Sequence, residues 1–480
     1  MSGNAVVQAG INIQSVRLYV VYYPVMIVAL VYCLVNLRMQ WFSSKASLAF
    51  SLAFVGYFLA TSFLFNYHPE GFDFTIFHNA GMNLIEGRNP YEFDGRMVSP
   101  LTSLLLFAGF ALTDVNTSFA IWTGVNVIMA LLLIPMAWWC LFGRIDTKSL
   151  IKEIAPLTAF FVLSFPILWT IGGGQLAIYV AFLLIMAFVL RDHGAQLGAG
   201  ISLALATVKP QTVIPCLLDF LRRNNLTTWV GFCLSLVVLL ITVRLLPHFF
   251  EAMGNEFEAM RDEMRNIATM GAPGNTNDYS FEAPFYHTII GLNYLFYCLG
   301  FRDRTLILIL SIGSTFAIGA YLLISGRQKR WPFEAHLSMI CIYALLFFYH
   351  RFYDATILAI PLTYSYVMAL RSTGSQRTMH FLTFIALLPV FVIHPKAMAL
   401  FVSGIPDSMP LVKRLGEAFL LPYATWSALF AMVFIWLRCR QPSRIHTEIA
   451  LRKREPFRTA KTTEIAANPG KKIYSPGGMP

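Results

Sequence analysis

Charge is scarce in this chain. Only 13% of its 480 residues are Asp, Glu, Lys or Arg, while 57% are hydrophobic, and a water-soluble globule of that composition could not cover its own apolar atoms. A soluble enzyme is therefore excluded. The net charge of +11 does not describe a basic nucleic-acid-binding fold either, because ten Lys/Arg against three Asp/Glu lie from Arg438 onward and that stretch has no apolar periodicity. Cysteine is sparse as well: seven residues, none in a CxxC pair, give neither a disulfide framework nor a zinc site. HExxH, GxSxG and GxxxxGK[ST] are missing, no DxD-like pair follows Asp73, and Gly172-Gly173-Gly174-Gln175 lacks the lysine and serine of a phosphate loop. No cleavable leader is expected, since the first apolar run, Leu18–Leu37, is long enough to span and has no small-residue cleavage site.

What the chain does contain is apolar runs of membrane-crossing length, about 17–25 residues. They lie at Leu18–Leu37, Ser47–Asn66, Ser118–Phe142, Ile154–Ile171, Gln175–Leu190 and Leu226–Leu246, then at Thr305–Ser325, Phe333–Tyr349, Ala355–Leu370, Met379–His394 and Glu417–Leu437. Leu197–Leu221 is interrupted by Lys209-Pro210 and reads as two short helices meeting at a break. The expected fold is an all-α polytopic membrane protein. Its 41 Phe and 20 Tyr suit rings set among acyl chains and at the interfaces.

The excess of Lys and Arg on cytoplasmic loops sets the expected orientation. With the basic tail inside, Arg38, Lys45, Arg144, Lys148, Lys152, Arg191, Arg222, Arg223, Arg327, Lys329, Arg330, Arg371 and Arg377 can share its side. This holds only if Ser99–Thr113 and Phe285–Gly300 lie along the outer surface without crossing. The tail itself reads as disordered, either attracted to an anionic leaflet or serving only to fix topology. Polar groups then converge on the outer face: Tyr67–Val98 carries Glu70, Asp73, His78, Glu86, Arg88, Asn89, Glu92 and Asp94, and Pro247–Pro284 holds an amphipathic stretch, Asn255–Ile267, and a turn region, Gly271–Asn277.

Several groups there could do chemistry. Asp73, flanked by Phe72 and Phe74, would be partly desolvated and able to accept a proton from a hydroxyl; a first-turn charge on an interfacial helix is the plainer use. Gly87-Arg88-Asn89-Pro90-Tyr91 is a helix stop, and its Arg88 could hold a phosphate oxygen. Lys209 is an ionisable group in an apolar segment and so a candidate for binding a lipid-linked phosphate, against simple snorkelling to water. In Tyr349-His350-Arg351-Phe352-Tyr353-Asp354 the i, i+4 spacing lets Asp354 orient His350, while His350 and Arg351 face a phosphate; a structural ion-pair turn competes with that reading.

The order of these motifs resembles the family-87 glycosyltransferases of the GT-C superfamily, which include polyprenol-phosphate-mannose-dependent α-mannosyltransferases. The resemblance runs from about Ser47 to Leu370: an outer-face Asp73, Gly-Arg-Asn-Pro-Tyr, Ser99-Pro100-Leu101, Gly174-Gln175, Lys209-Pro210, Asn277-x-x-Ser280 and His350-Arg351-x-Tyr353-Asp354. It implies a GT-C-like bundle of about 12–14 transmembrane helices with outer-face interfacial helices. Residues 1–46 would form an added N-terminal span, 47–437 the transferase domain and 438–480 the cytoplasmic tail. The implied activity is an inverting transfer of mannose or another hexose or pentose from a polyprenyl-phosphate donor to an extracytoplasmic glycolipid or glycan, in the cell membrane, without metal or other cofactor and without nucleic acid. By position, Asp73 matches the general base, and Lys209, His350 and Arg351 fall where the lipid phosphate is held; Asp354, Arg88, Tyr91 and Gln175 are further candidates for substrate contact. Ser99-Pro100 departs from a Pro-Pro pair found in many members. A transporter or lipid flippase remains the alternative, although it would carry matched broken helices in two halves.

Overall fold

A computed structural model describes residues 22–39, 44–64, 72–88, 90–91, 100–143, 146–223, 226–244, 261, 265, 278–283, 285–328, 331–347 and 349–440. Part of the first apolar run, both ends of Tyr67–Val98, nearly all of Asn255–Ile267, Gly271–Asn277 and the tail beyond residue 440 lie outside the described residues.

The fold is all-α and polytopic. Along the chain run α1 (Tyr23–Met39), α2 (Ser44–Leu64), α3 (Phe72–Ile85), α4 (Leu101–Phe110) and α5 (Val115–Phe142), then α6 (Ala155–Val162), α7 (Phe165–Gly173), α8 (Ala177–Asp192), α9 (Gln196–Ala206), α10 (Pro210–Arg223) and α11 (Leu226–Arg244). After the outer segment come strand β1 (Ile289–Ile290), α12 (Leu292–Cys298), α13 (Arg304–Arg327), α14 (Phe333–Leu346) and strand β2 (His350–Arg351). A 3-10 turn (Phe352–Leu358) leads into α15 (Ala359–Arg371), α16 (Gly374–Val392), α17 (Pro395–Ser403), α18 (Pro410–Leu415) and α19 (Tyr423–Cys439). The two strands form a single antiparallel pair, Ile289 opposite Arg351 and Ile290 opposite His350, which the sequence pattern did not suggest.

Among the described residues three helices are individually long and apolar enough to cross a membrane, and three bent helix pairs could each serve as one span. Four shorter apolar helices accompany them. The breaks coincide with proline. The chain bends by 52° between α6 and α7, by 80° between α16 and α17, and by 58° before α19, where Pro166, Pro395 and Pro422 occupy helix starts. Proline suits the first turn, whose N–H groups have no intrahelical partner, and cannot continue a preceding helix. Leu197–Leu221 is thus one interruption among several, although it alone stood out by charge. The segments Ser99–Thr113 and Phe285–Gly300 form only short helices, too short to span.

Close helix contacts depend on glycine. A Cβ on Gly200 of α9 would lie 2.6 Å from Phe232 N of α11, and one on Gly231 would lie 2.8 Å from Leu197 O. Without lipid-excluding hydrophobic drive, helices in a bilayer gain most from backbones that approach this closely. The hairpin of α3 and α4 uses the same device: a Cβ on Gly81 would sit 2.5 Å from Phe107 O.

Polar groups gather at two opposite ends of the bundle. At one end Arg371 pairs with Glu153 at 2.7 Å, Trp138 Nε1 donates to the same carboxylate, Asn36 donates to Lys152 O, and Arg377 donates to Leu37 O. Arg191 belongs here but is not a solvated topological charge: it is buried, paired with Asp219, and surrounded by the rings of Phe188, Phe220 and Phe333. The other end, across the lengths of α8 and α15, carries Gln175 and residues 350–354.

The glycine contacts give a direct expectation. Gly200→Val should cost about 1–3 kcal/mol by overpacking, read as a lower midpoint of thermal unfolding in detergent. Gly56→Ala, where no neighbour lies within 4 Å, should leave that midpoint unchanged or slightly higher.

Candidate active site

The corner between α7 and α8 organises one half of the site. Gly174 adopts φ +66°, and a Cβ there would lie 2.5 Å from Phe74 Cβ and 3.1 Å from the Phe119 ring. Only glycine fits both the conformation and the space. The corner is tied down by Trp122, whose Nε1 donates to Gly174 O at 3.0 Å, and by Thr356, whose hydroxyl donates to Ala177 O at 3.1 Å. Because α3 packs against α7, the first turn of α3 presents Asp73 to this corner. Gln175 Nε2 donates to Asp73 Oδ2, and the carboxylate stays partly exposed.

Asp354 organises the other half. Its buried carboxylate accepts from Lys209 Nζ through Oδ1, and from His350 Nδ1 and the Arg351 backbone N–H through Oδ2, the latter two at 3.1 Å each. Burial pushes this carboxyl up, but Lys209 and His350 outweigh burial and bring it down to about 2. Lys209 reaches it from the turn between α9 and α10, with its ammonium 4.7 Å from the centre of the Tyr353 ring. With Nδ1 committed to Asp354, the second ring nitrogen of His350 is buried and has no hydrogen-bond partner among the described residues.

Arg351 joins the two halves. Its guanidinium donates to Thr288 Oγ1 at 3.1 Å and lies near the Phe285 and Tyr349 rings. Burial works against its charge, yet Tyr349, Tyr353 and Asp73 together more than offset that and hold it cationic. The charge of Asp73 is felt at Arg351, Tyr349 and Tyr353 alike. Asp73, Gln175, Lys209, His350, Arg351 and Asp354 therefore form one neighbourhood at one end of the bundle.

Arg88 and Tyr91 stand apart from it. They follow the far end of α3, roughly 18 Å of helix from Asp73 at 1.5 Å per residue. Arg88 is exposed and paired with Glu86, while Tyr91 is buried in a small cluster with Ala80, Leu84, Leu104 and Ala108. Gly87, at φ +75°, ends the helix. Conversely, sequence reasoning left out Thr288, which reaches Arg351 only because β1 pairs with β2, and gave no role to the Tyr353 ring beneath Lys209.

Beside the site a partly open apolar cavity of about 220 Å³ lies between α4, α8, α9 and α11, lined by Leu105, Tyr179, Ala204, Val208 and Leu239 among others. Val208 adjoins Lys209, and Tyr179 follows Gln175 by about one helical turn. Among the described residues no three His, Cys, Asp or Glu side chains gather as metal ligands.

Lys209→Met should destabilise the protein by about 3–5 kcal/mol, because it removes one partner of a buried ion pair. Adding Asp354→Asn to that variant should recover part of the loss in thermal unfolding. The sign with pH is fixed by the lowered Asp354 value: the stabilisation is present above the unfolded carboxyl range, about pH 4, and is lost as pH falls through about 2. Acid unfolding of Lys209→Met should therefore begin at higher pH than in the parent protein.

Comparison with known proteins adds to this geometry. The model of glycosyltransferase family 87 matches residues 98–348, just over half of the chain, and includes Gln175 and Lys209 while stopping short of His350. No curated protein and no solved structure matches the chain. With more than half its length matched by that one family model, this chain belongs to glycosyltransferase family 87.

Proposed function

We propose that this glycosyltransferase moves a sugar from a polyprenyl-phosphate carrier to a hydroxyl of a glycolipid or glycan on the extracytoplasmic side of the cell membrane, with inversion at the anomeric carbon. The observation that carries the reading is the opposition of one partly exposed carboxylate, Asp73, to a set of cations gathered around Asp354. In this reaction the acceptor oxygen attacks the anomeric carbon while its proton passes to Asp73. The bond from that carbon to the phosphate oxygen breaks, and the phosphate leaves with the electron pair. Negative charge then grows on the departing phosphate, where fixed cations are worth most.

The residues divide the work between them. Gln175 holds Asp73 in place from the glycine corner. Lys209 and Arg351 supply positive charge for the phosphate, and the ring nitrogen of His350 that Asp354 does not hold is left for a phosphate oxygen. Asp354 orients the His350 ring and fixes the position of Lys209 without touching substrate. Neutralisation by side chains removes the requirement for a metal ion at the phosphate. The apolar cavity next to Val208 gives the first isoprene units of the carrier a place outside water, so that phosphate and lipid are bound side by side. Arg88 and Tyr91 serve better in holding the end of α3 than in contacting the donor.

Orientation follows from charge. The end of the bundle opposite the site gathers Arg38, Lys152, Arg371 and Arg377, and the positive-inside bias assigns that end, with the C-terminal tail, to the cytoplasm. The transferase domain then occupies about residues 47–437, with the first span added before it.

The test is Asp73→Asn, which keeps the hydrogen bond with Gln175 possible but removes the base. Membranes carrying this variant, supplied with a radiolabelled polyprenyl-phosphate mannose and membrane glycolipid, should transfer label about 10²–10⁴-fold more slowly than the parent at equal protein level. Transfer at the parent rate would remove Asp73 from the reaction, and label crossing the membrane without transfer would indicate a transporter.

A further inference from the structure

Asp354 holds Lys209 by its ammonium but Arg351 by its backbone N–H, so the aim of the Arg351 guanidinium is set by other contacts. The rings of Phe285 and Tyr349 lie 5.5 Å and 5.9 Å from it. A ring face attracts a cation without fixing its rotation or slide. Directed contacts come from the Tyr349 side chain and from Thr288, whose Oγ1 accepts from Arg351 Nη1 at 3.1 Å. The two are not equivalent. Tyr349 precedes Arg351 by two residues and travels with it, whereas Thr288 refers the guanidinium to a different part of the chain.

That part is firmly built. Thr288 ends the 3-10 turn Tyr286–Thr288, which packs against α17, and leads directly into β1. It is buried, its hydroxyl donates to Phe285 O at 2.8 Å, and its backbone N–H donates to the same carbonyl at 3.0 Å. A hydroxyl has one proton, so toward Arg351 this oxygen is left as an acceptor. Beyond Thr288, Ile289 of β1 pairs with Arg351, and the strand runs to Gly291, whose N–H donates to Thr425 Oγ1 of α19 at 3.2 Å. Thr288 therefore brings to Arg351 a fixed acceptor referred to α17 and α19, outside the network of Asp354. The acceptor matters because the charge of Asp73 also acts on Arg351. A guanidinium left to swing would be drawn to that carboxylate, and pairing would weaken the base and remove a phosphate cation together.

We propose that Thr288 is a positioning residue for the transfer: its hydroxyl holds the Arg351 guanidinium toward the departing phosphate and away from Asp73, without touching substrate itself. The assignment rests on the reading of Arg351 as a cation for the carrier phosphate.

Binding of undecaprenyl phosphate to the full chain in detergent, measured by microscale thermophoresis, tests this without reading transfer. Thr288→Val keeps the shape of the side chain and removes its hydroxyl. It should weaken binding about tenfold, the loss of one aimed hydrogen bond to a charged group, and Thr288→Ser should restore most of the affinity. Arg351→Gln should weaken binding at least as much. Adding Thr288→Val to Arg351→Gln should weaken it no further, because Thr288 then has no guanidinium to aim. A Thr288 that served only as a strut would lower the thermal midpoint at unchanged affinity, or would give losses that multiply in the double variant; either result overturns the proposal. Thr288→Ala carries the same expectations should Thr288→Val accumulate poorly. Parent-like binding by Thr288→Val beside weak binding by Arg351→Gln refutes the role of Thr288 alone. Parent-like binding by Arg351→Gln removes Arg351 from the phosphate, and this inference with it. Neither result depends on whether Asp73→Asn slows the reaction.

Discussion

The buried carboxylate of Asp354 is the constraint on which the rest of the site depends. A carboxylate removed from water at the end of a membrane bundle is tolerated only when cations and donors satisfy it. Here they come from three places: Lys209 at a helix break, His350 four residues earlier, and the backbone of Arg351. Satisfying Asp354 therefore determines where the turn after α9, strand β2 and the 3-10 turn Phe352–Leu358 must meet. The same contacts leave the remaining nitrogen of His350 and the charge of Arg351 turned to other duties. The structural ion-pair turn and the proposed phosphate grip are in this sense one construction.

The opposing half is built from backbone. The α7–α8 corner closes around Gly174 so tightly that the α3 side chain Phe74 occupies the place of a Cβ, and Trp122 locks the corner from α5. That packing brings the start of α3, and with it Asp73, to Gln175. In the proposed reaction one half handles the proton and the other the phosphate, and the apolar cavity beside Lys209 accounts for the carrier lipid. With both halves at one end of the bundle, the proposed lipid-linked substrate would reach them without its tail leaving the bilayer.

Much of this was legible in the sequence. Composition alone forced a membrane protein, and the long apolar runs at Ser118–Phe142 and Thr305–Ser325 became α5 and α13 with Asp114 and Asp303 as their caps. Lys209-Pro210 announced a helix break because charge and proline together cannot continue an apolar helix, and the i, i+4 spacing of His350 and Asp354 announced their contact. Less visible were the bends at Pro166, Pro395 and Pro422, since proline inside an apolar run does not lower its hydropathy. The pairing of Ile289 with Arg351 had no local signal, because a two-residue strand pair is decided by tertiary contact, and Thr288 was missed with it. Arg88 and Tyr91 drew attention as a motif, yet sequence adjacency to Asp73 says little when about three helical turns intervene.

The central claim, that a lipid-borne sugar phosphate is gripped between these two halves, is tested most directly by imaging the full chain with a polyprenyl-phosphate sugar bound, by single-particle electron microscopy. The account predicts phosphate density within hydrogen-bond distance of Lys209, His350 and Arg351, isoprene density entering the cavity beside Val208, and the anomeric carbon turned toward Asp73. Density for the phosphate at the end of the bundle that holds Arg371 and Glu153, or a sugar facing away from Asp73, would contradict it.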